Sequence, residues 1–129
     1  MIFGIGTDIV QIGRIRADLE RFGDRFAIRV LTPAEYEEYK TSHMAAQFVA
    51  KRFAVKEATA KALGIGFRDG LSLSQIGVVH DGRGRPGLEY HGRALEICRE
   101  FGILASHVSI ADENEYAIAF VTLVAGGSA

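Results

Sequence analysis

The sequence predicts an α+β fold in which an antiparallel sheet carries its helices on one side. Three observations predict it. The strand-like segments of the second half come in neighbouring pairs, a run of short helices precedes them, and the longest helical stretch, Met44 to Leu63, is apolar on most sides as a central helix must be. The order β-α-α-α-α-β-β-α-β-β groups its strands as hairpins and leaves little from which to build a parallel sheet. With 129 residues, no internal repeat and no linker, residues 1–129 are expected to form a single domain. A composition of 48% hydrophobic and 24% charged residues suffices for one core and excludes compositional disorder.

The elements follow in chain order. Residues 2–9 alternate with period two, setting Phe3, Ile5, Thr7 and Ile9 on one face and Ile2, Gly4, Gly6 and Asp8 on the other, with Asp8 at the strand end. Ile12, Ile15, Leu19 and Phe22 recur at helical spacing and stop at Gly23. A short helix from Asp24 to Val30 comes next, then a third opened by Thr32 as N-cap, with Pro33 at the first helical position and Glu35 in the first turn. These short helices read as a cap over the sheet. In the long helix Phe48, Val49, Phe53 and Ala60 mark the periodic positions, and Gly64 ends it. Ile65 to Leu71 is glycine-spaced loop. Ile76 to His80 and Leu88 to Tyr90 are strand arms about Asp81-Gly82-Arg83-Gly84-Arg85-Pro86, a hairpin with a long cationic tip. Arg93 to Phe101 is a helix ending at Gly102, and His107 to Ala111 and Tyr116 to Val124 are two further strands. The last of these is apolar on both faces, more than a half-exposed sheet in a small monomer needs, although a core under helices would also account for it. Gly126-Gly127-Ser128-Ala129 reads as a frayed tail.

Several function classes fall away. A net charge of −1 provides no global field for nucleic acid, and no apolar run approaches the roughly 20 residues of a membrane span. Met1-Ile2-Phe3-Gly4 lacks the basic region of a signal peptide, and Asp8 interrupts any apolar one, so a cytoplasmic location is expected. The single cysteine, Cys98, excludes an intrachain disulfide framework and reads as packing. Gly4 and Gly6 are followed by Ile9 where a dinucleotide fingerprint needs its third glycine. His43, His80 and His91 have no metal-ligand spacing.

What remains is a set of carboxylates and cations. Glu57 and Lys61 are four apart on the long helix and share a face, as a helix-supporting ion pair would. Asp8 suits either an N-cap at the junction of strand and helix or a functional carboxylate beside small glycines. Were the fold to bring Asp8 and Glu57 together, they would make a small oxygen-rich site of the kind magnesium takes, with one or two protein carboxylates and substrate phosphates. Lys51, Arg52, Lys56 and Lys61 on the same helix, and Arg83 and Arg85 on the hairpin tip, suit phosphate or a solvated face. His107 and Ser109 share the less apolar face of their strand, where a structural histidine is the simpler reading.

The stretch Gly4-Ile5-Gly6-Thr7-Asp8-Ile9-Val10 with Arg14, followed by Arg52-Phe53-Ala54-Val55-Lys56-Glu57-Ala58-Thr59-Ala60-Lys61-Ala62-Leu63-Gly64, resembles the two signature blocks of the holo-acyl-carrier-protein synthases, the small bacterial-type phosphopantetheinyl transferases. The resemblance continues through Gly84-Arg85-Pro86 and His107-Val108-Ser109-Ile110 and spans nearly the whole chain. It implies a single-domain 4′-phosphopantetheinyl transferase fold. It also implies transfer of the 4′-phosphopantetheine arm of coenzyme A to a serine of apo acyl carrier protein for fatty acid biosynthesis, releasing adenosine 3′,5′-bisphosphate. By the same resemblance Asp8 and Glu57 are the magnesium-binding carboxylates and Lys61 lies near the phosphates. Arg52, Gly64, Arg85, Pro86 and His107 contact coenzyme A, and His107 is a candidate for its nucleotide phosphate end. Arg14 would meet the carrier, with Arg21 and Arg25 adding to a cationic dock for an acidic protein. Either Glu57 or a water on the metal would take the serine proton. Family members of this size are homotrimers with sites at the subunit junctions. Ala54, where relatives carry serine or cysteine, and Arg85, in place of a common lysine, are the departures. A non-catalytic module binding nucleotide or carrier, and a magnesium phosphohydrolase, are the alternatives.

Overall fold

In the computed structural model, residues 1–126 are described, and residues 127–129 of the expected tail lie outside them. The elements are β1 (Ile2–Gln11), α1 (Ile12–Phe22), α2 (Asp24–Val30), α3 (Pro33–Lys40), α4 (Ala45–Leu63), a 3-10 turn (Leu73–Gln75), β2 (Ile76–His80), β3 (Pro86–Tyr90), α5 (Gly92–Glu100), β4 (Ile103–Asp112) and β5 (Tyr116–Ala125). The single expected sheet is in fact two. β1, β5 and β4 form one antiparallel sheet in that order, and β2 and β3 pair only with each other as a hairpin. This hairpin packs beside β4 without joining its ladder.

The central layer is α4 on the three-stranded sheet. Ala117, Ala119, Val121 and Leu123 on one face of β5 are fully buried beneath it, as are Val49, Ala50, Ala54, Val55 and Ala58 on the helix itself. The glycines of β1 make the closest approach. A Cβ on Gly6 would run into the Ala58 carbonyl oxygen, and one on Gly4 into that of Ala62, so this helix lies directly on strand backbone. Gly4, Gly6 and Asp8 share a face by strand alternation, and the face that packs on α4 is therefore the one bearing Asp8.

Among the described residues no helix covers the other face of the sheet. Ile5, Ile9, Ile118 and Phe120 are 42–61% exposed there, alongside Tyr116, which accounts for the apolar character of β5 on both sides. Several strand limits differ from expectation, β3 among them, which starts at Pro86 and not at Leu88. β1 runs through to Gln11, so Asp8 lies inside the strand and not at its end, and the N-cap of α1 is Gln11 with no side-chain cap bond. β4 begins at Ile103, four residues early, because it continues its pairing with β5 up to Ala125. Gly126, expected in the frayed tail, donates its N–H to the Gly102 carbonyl at 3.0 Å.

α3 opens with a reciprocal capping box. Thr32 Oγ1 accepts from the Glu35 N–H at 3.1 Å, and Glu35 Oε1 accepts from the Thr32 N–H at 2.9 Å. Gly64, in the left-handed conformation at φ 81°, terminates α4 and donates to the Ala60 and Lys61 carbonyls.

Candidate active site

Asp8 and Glu57 face each other across the glycine-mediated contact of β1 with α4. Lys61 reaches Asp8: its ammonium donates to Asp8 Oδ1 at 2.9 Å and to the Thr7 carbonyl at 2.9 Å. The expected intrahelical pair of Lys61 with Glu57 is thus redirected to the strand. Glu57 is half-buried, and its carboxyl is held above the usual range by that burial first and by the negative charge of Asp8 second, with Lys61 opposing. A half-buried carboxylate beside a second negative charge, with a single ammonium against them, forms a centre that a further cation would relieve.

The donor set fits magnesium. Among the described residues no group of three or more His, Cys, Asp or Glu could hold a metal ion. The two carboxylates, Asp8 and Glu57, are what is needed by an ion that keeps several waters and takes its remaining oxygens from substrate phosphates.

A second group of expected residues gathers elsewhere. Arg85, Pro86 and His107 line an open cleft of about 520 Å³ between the hairpin tip and β4, joined by His80 and Ser106. The tip is ordered by its own hydrogen bonds. Asp81 Oδ1 accepts from the N–H groups of Arg83 at 2.8 Å and Arg85 at 3.0 Å, and these bonds, that of Arg85 foremost, hold its carboxyl below the ordinary value. His80 was passed over in the sequence for want of metal spacing; its pairing with Pro86 across the hairpin was the signal that could have found it. His107 is in register with Thr122 and Ile5, on the sheet face opposite α4. Ser106 and Val108 of the same cleft turn to the α4 face, so within one chain this cleft, at the β4 edge, and the Asp8–Glu57 centre, at β1, lie at opposite edges of the three-stranded sheet.

Two of the cations expected to suit phosphate do not sit at the surface. Lys56 has no exposed surface; its ammonium donates to Glu35 Oε1 at 2.7 Å, to the Leu73 carbonyl at 3.1 Å and to the Ile76 carbonyl. Arg52 is 7% exposed, stacked over Phe48 with its guanidinium carbon 3.6 Å from the ring centre, and bonded to Glu38 at 3.5 Å. Burial lowers the pKa of both against the pull of Glu35. Helix phase explains the correction: positions 52 and 56 face the interior when 57 and 61 face β1. Gly64 is exposed at the end of α4, and Arg14, Arg21 and Arg25 are exposed on α1 and α2. Arg25 lines a groove of about 350 Å³ with Phe22, Phe26 and Arg29, and the Arg21 guanidinium lies 5.1 Å from the centre of the Phe22 ring.

A carboxylate pair set between a glycine strand and a central helix, on this α+β frame, defines a class: the family model described as the 4′-phosphopantetheinyl transferase superfamily matches residues 4–121. A holo-[acyl-carrier-protein] synthase from Nitrosococcus oceani is 55% identical over 125 residues, covering 97% of this chain and 81% of that protein. The crystal structure of the synthase of that name from Neisseria meningitidis superposes with a TM-score of 0.90 at 44% identity, over 96% of this chain and 99% of the other. One from Bacillus anthracis, solved in complex with CoA (3′,5′-ADP), matches with a TM-score of 0.80 at 36% identity over 98% and 99% of the two chains. The chain belongs to the holo-acyl-carrier-protein synthase family.

Proposed function

We propose that this chain transfers the 4′-phosphopantetheine arm of coenzyme A to a serine of apo acyl carrier protein, with magnesium held by Asp8 and Glu57. The observation that carries this reading is the meeting of those two carboxylates beside Lys61, on a chain whose relatives are holo-acyl-carrier-protein synthases. Magnesium supplies charge neutralisation of the pyrophosphate and of its leaving oxygen. The protein's own groups do the rest. Lys61, held on Asp8 and the Thr7 carbonyl, presents its ammonium to the phosphates and offsets charge as the bond to the leaving group lengthens. The serine hydroxyl attacks the phosphorus that bears the pantetheine arm, the pyrophosphate P–O bond breaks, and adenosine 3′,5′-bisphosphate leaves. Glu57, directly or through its associated water, receives the serine proton.

The cleft between the hairpin tip and β4 is the proposed seat of the coenzyme A nucleotide, with Arg85, Pro86 and His107 against it and Gly64 near the phosphates. Because this cleft lies at the β4 edge of the sheet and Asp8 on β1 at the other, a complete site needs two copies of the chain. The exposed apolar face of Ile5, Ile9, Ile118 and Phe120 supports a homotrimer closed across the sheets, with one site at each junction. Light scattering at about three times the 14.0 kDa chain mass is the expected result. Arg52 stays a coenzyme A contact by resemblance alone, since its burial against Phe48 and Glu38 gives it structural work. Arg14 and Arg21, exposed on α1, and Arg25, which lines the Phe22 groove on α2, form the proposed dock for the acidic carrier. No helix of the described residues is long and apolar enough to cross a membrane, in keeping with a cytoplasmic role in fatty acid biosynthesis.

Mass spectrometry of apo acyl carrier protein incubated with this protein and coenzyme A tests the reading, with magnesium in one arm and a chelator in the other. One phosphopantetheine arm gained only with magnesium is the expected result. Saturable binding without any gain would favour the non-catalytic module, and coenzyme A cleavage without a carrier the phosphohydrolase.

A further inference from the structure

Lys56 precedes Glu57 in the sequence and points the other way, into the interior. Its three bonds, to Glu35 Oε1, the Leu73 carbonyl and the Ile76 carbonyl, use every proton of the ammonium. Glu35 in turn accepts from the Thr32 N–H at 2.9 Å and, through its other oxygen, from the Val78 N–H at 2.8 Å. One buried ion pair therefore ties together the start of α3, the middle of α4, the 3-10 turn and β2. Coulomb attraction alone has no preferred direction, but three donors aimed at a carboxylate and two carbonyls do. They are all met at one rotation of α4.

That rotation matters because of what lies on the other side of the helix. The contact of α4 with β1 is made by Gly4, Gly6, Ala58 and Ala62, small groups that fix the separation of the two elements but present little to resist turning. A turn of about 20° about the helix axis moves a side-chain tip at a radius of about 6 Å by about 2 Å. Misplacement of about 1 Å at a reacting centre already costs on the order of 10²-fold in rate. We infer that Lys56 and Glu35 are positioning residues of the transfer reaction, the buried pair setting the rotation of α4 that brings Glu57 to Asp8. This rests on the reading of Asp8 and Glu57 given above.

Lys56→Met keeps an unbranched stem and removes the directed donors. The control is Val49→Ala, a fully buried position on the same helix, which loosens packing without touching the pair. Both are checked for folding by circular dichroism and assayed well below the lower melting temperature. Lys56→Met is expected to lower kcat at least about 30-fold and to raise the magnesium concentration for half-maximal rate about tenfold, with KM for the carrier within about twofold of wild type. Calorimetric titration of magnesium into protein with coenzyme A and no carrier, which involves no turnover, is expected to show the same weakening. Val49→Ala should change neither. Equal kcat and equal magnesium affinity in the two variants would overturn the inference. If Lys56→Met does not fold, Glu35→Gln, which keeps the shape and loses one acceptor, stands in its place, and wild-type magnesium affinity and kcat there would overturn it equally. A wild-type protein that transfers nothing, or transfers without magnesium, would instead sink the reading of the carboxylates.

Discussion

Lys56 and Lys61 stand five residues apart on one helix, and the interior takes one while the active centre takes the other. Lys56 is wholly buried and spends its charge on Glu35 and two carbonyls; Lys61 is 54% exposed by side chain and leans on Asp8. The dry face of α4 holds the molecule together, because removing one member of a buried pair strands the other without solvent. The wet face is the proposed seat of the chemistry, because its groups are anchored by few bonds and remain open to a ligand. A stretch dense in charge thus divides by helix phase into a structural half and a working half.

Variants on the two faces should separate by their effect on stability. The largest effect is expected on the wet face: Asp8→Ala or Glu57→Ala should lower magnesium-dependent transfer by on the order of 10²–10³-fold or more while circular dichroism and melting stay near wild type. Removing Glu57 also removes a carboxylate that burial and Asp8 disfavour, so a slight rise in melting temperature is consistent. Near-normal turnover in either variant would end the metal assignment. On the dry face stability falls as well, alongside the loss of rate inferred above. Glu35→Ala should cost about 3–5 kcal/mol in urea unfolding by leaving the Lys56 ammonium and the Val78 N–H without their acceptor. A loss under about 1 kcal/mol would mean that water reaches Lys56, and the contrast between the faces would fail.

The seam between β1 and α4 belongs to both halves. Gly6→Ala places a methyl against the Ala58 carbonyl, which is backbone and can yield only if the helix moves. The expected loss is about 1–3 kcal/mol of stability, with a fall in kcat larger than that loss explains, since the helix carries Glu57 away from Asp8 as it shifts. Unchanged kcat in a folded variant would show that the carboxylates tolerate the displacement.

Element positions were legible because they rest on local pattern. Thr32-Pro33 with Glu35 announced the start of α3, and Gly64 the end of α4, through bonds that close within a turn. Asp8 was misplaced at a strand end because alternation weakens at Val10 and Gln11, whose membership in β1 depends on pairing with Ala117 and Tyr116 over a hundred residues away. The fate of Lys56 was hidden for a like reason: its partner is 21 residues distant in α3, and Glu35 reads locally as a capping residue, which it also is. Asp8 and Glu57 as a pair came from resemblance to a family, since nothing in the spacing of two carboxylates 49 residues apart says that they meet.

Exposed charges away from the seam should act on association alone. Arg14→Glu, at an open position of α1, is expected to raise KM for the carrier about tenfold, with KM for coenzyme A and the melting temperature nearly unchanged, and the effect should shrink at high salt. Equal effects on both substrates would count against a docking surface on α1.

The smallest effect expected is a pH dependence from a second dry region, between α5 and the hairpin. Burial pushes the Cys98 thiol from 9.0 up to about 11, and it pushes the Tyr90 hydroxyl from 10.0 up to about 12, the latter against a hydrogen bond with Ser106 that favours ionisation. Both groups are neutral when protonated, so the folded chain holds protons that the unfolded chain releases. Stability from these groups is fully present below pH 9 and falls as pH rises, through 9.0 to about 11 for Cys98 and 10.0 to about 12 for Tyr90. Urea midpoints taken between pH 8 and 11 should decline, and Tyr90→Phe, which cannot ionise, should flatten the upper part of that decline. Alkylation at pH 8.5 supplies the independent check: Cys98 should react slowly in the native protein and at the rate of a free thiol in urea. Fast native labelling would mean that α5 opens on the timescale of the reaction, and this region would then resemble the wet face of α4 more than the dry one.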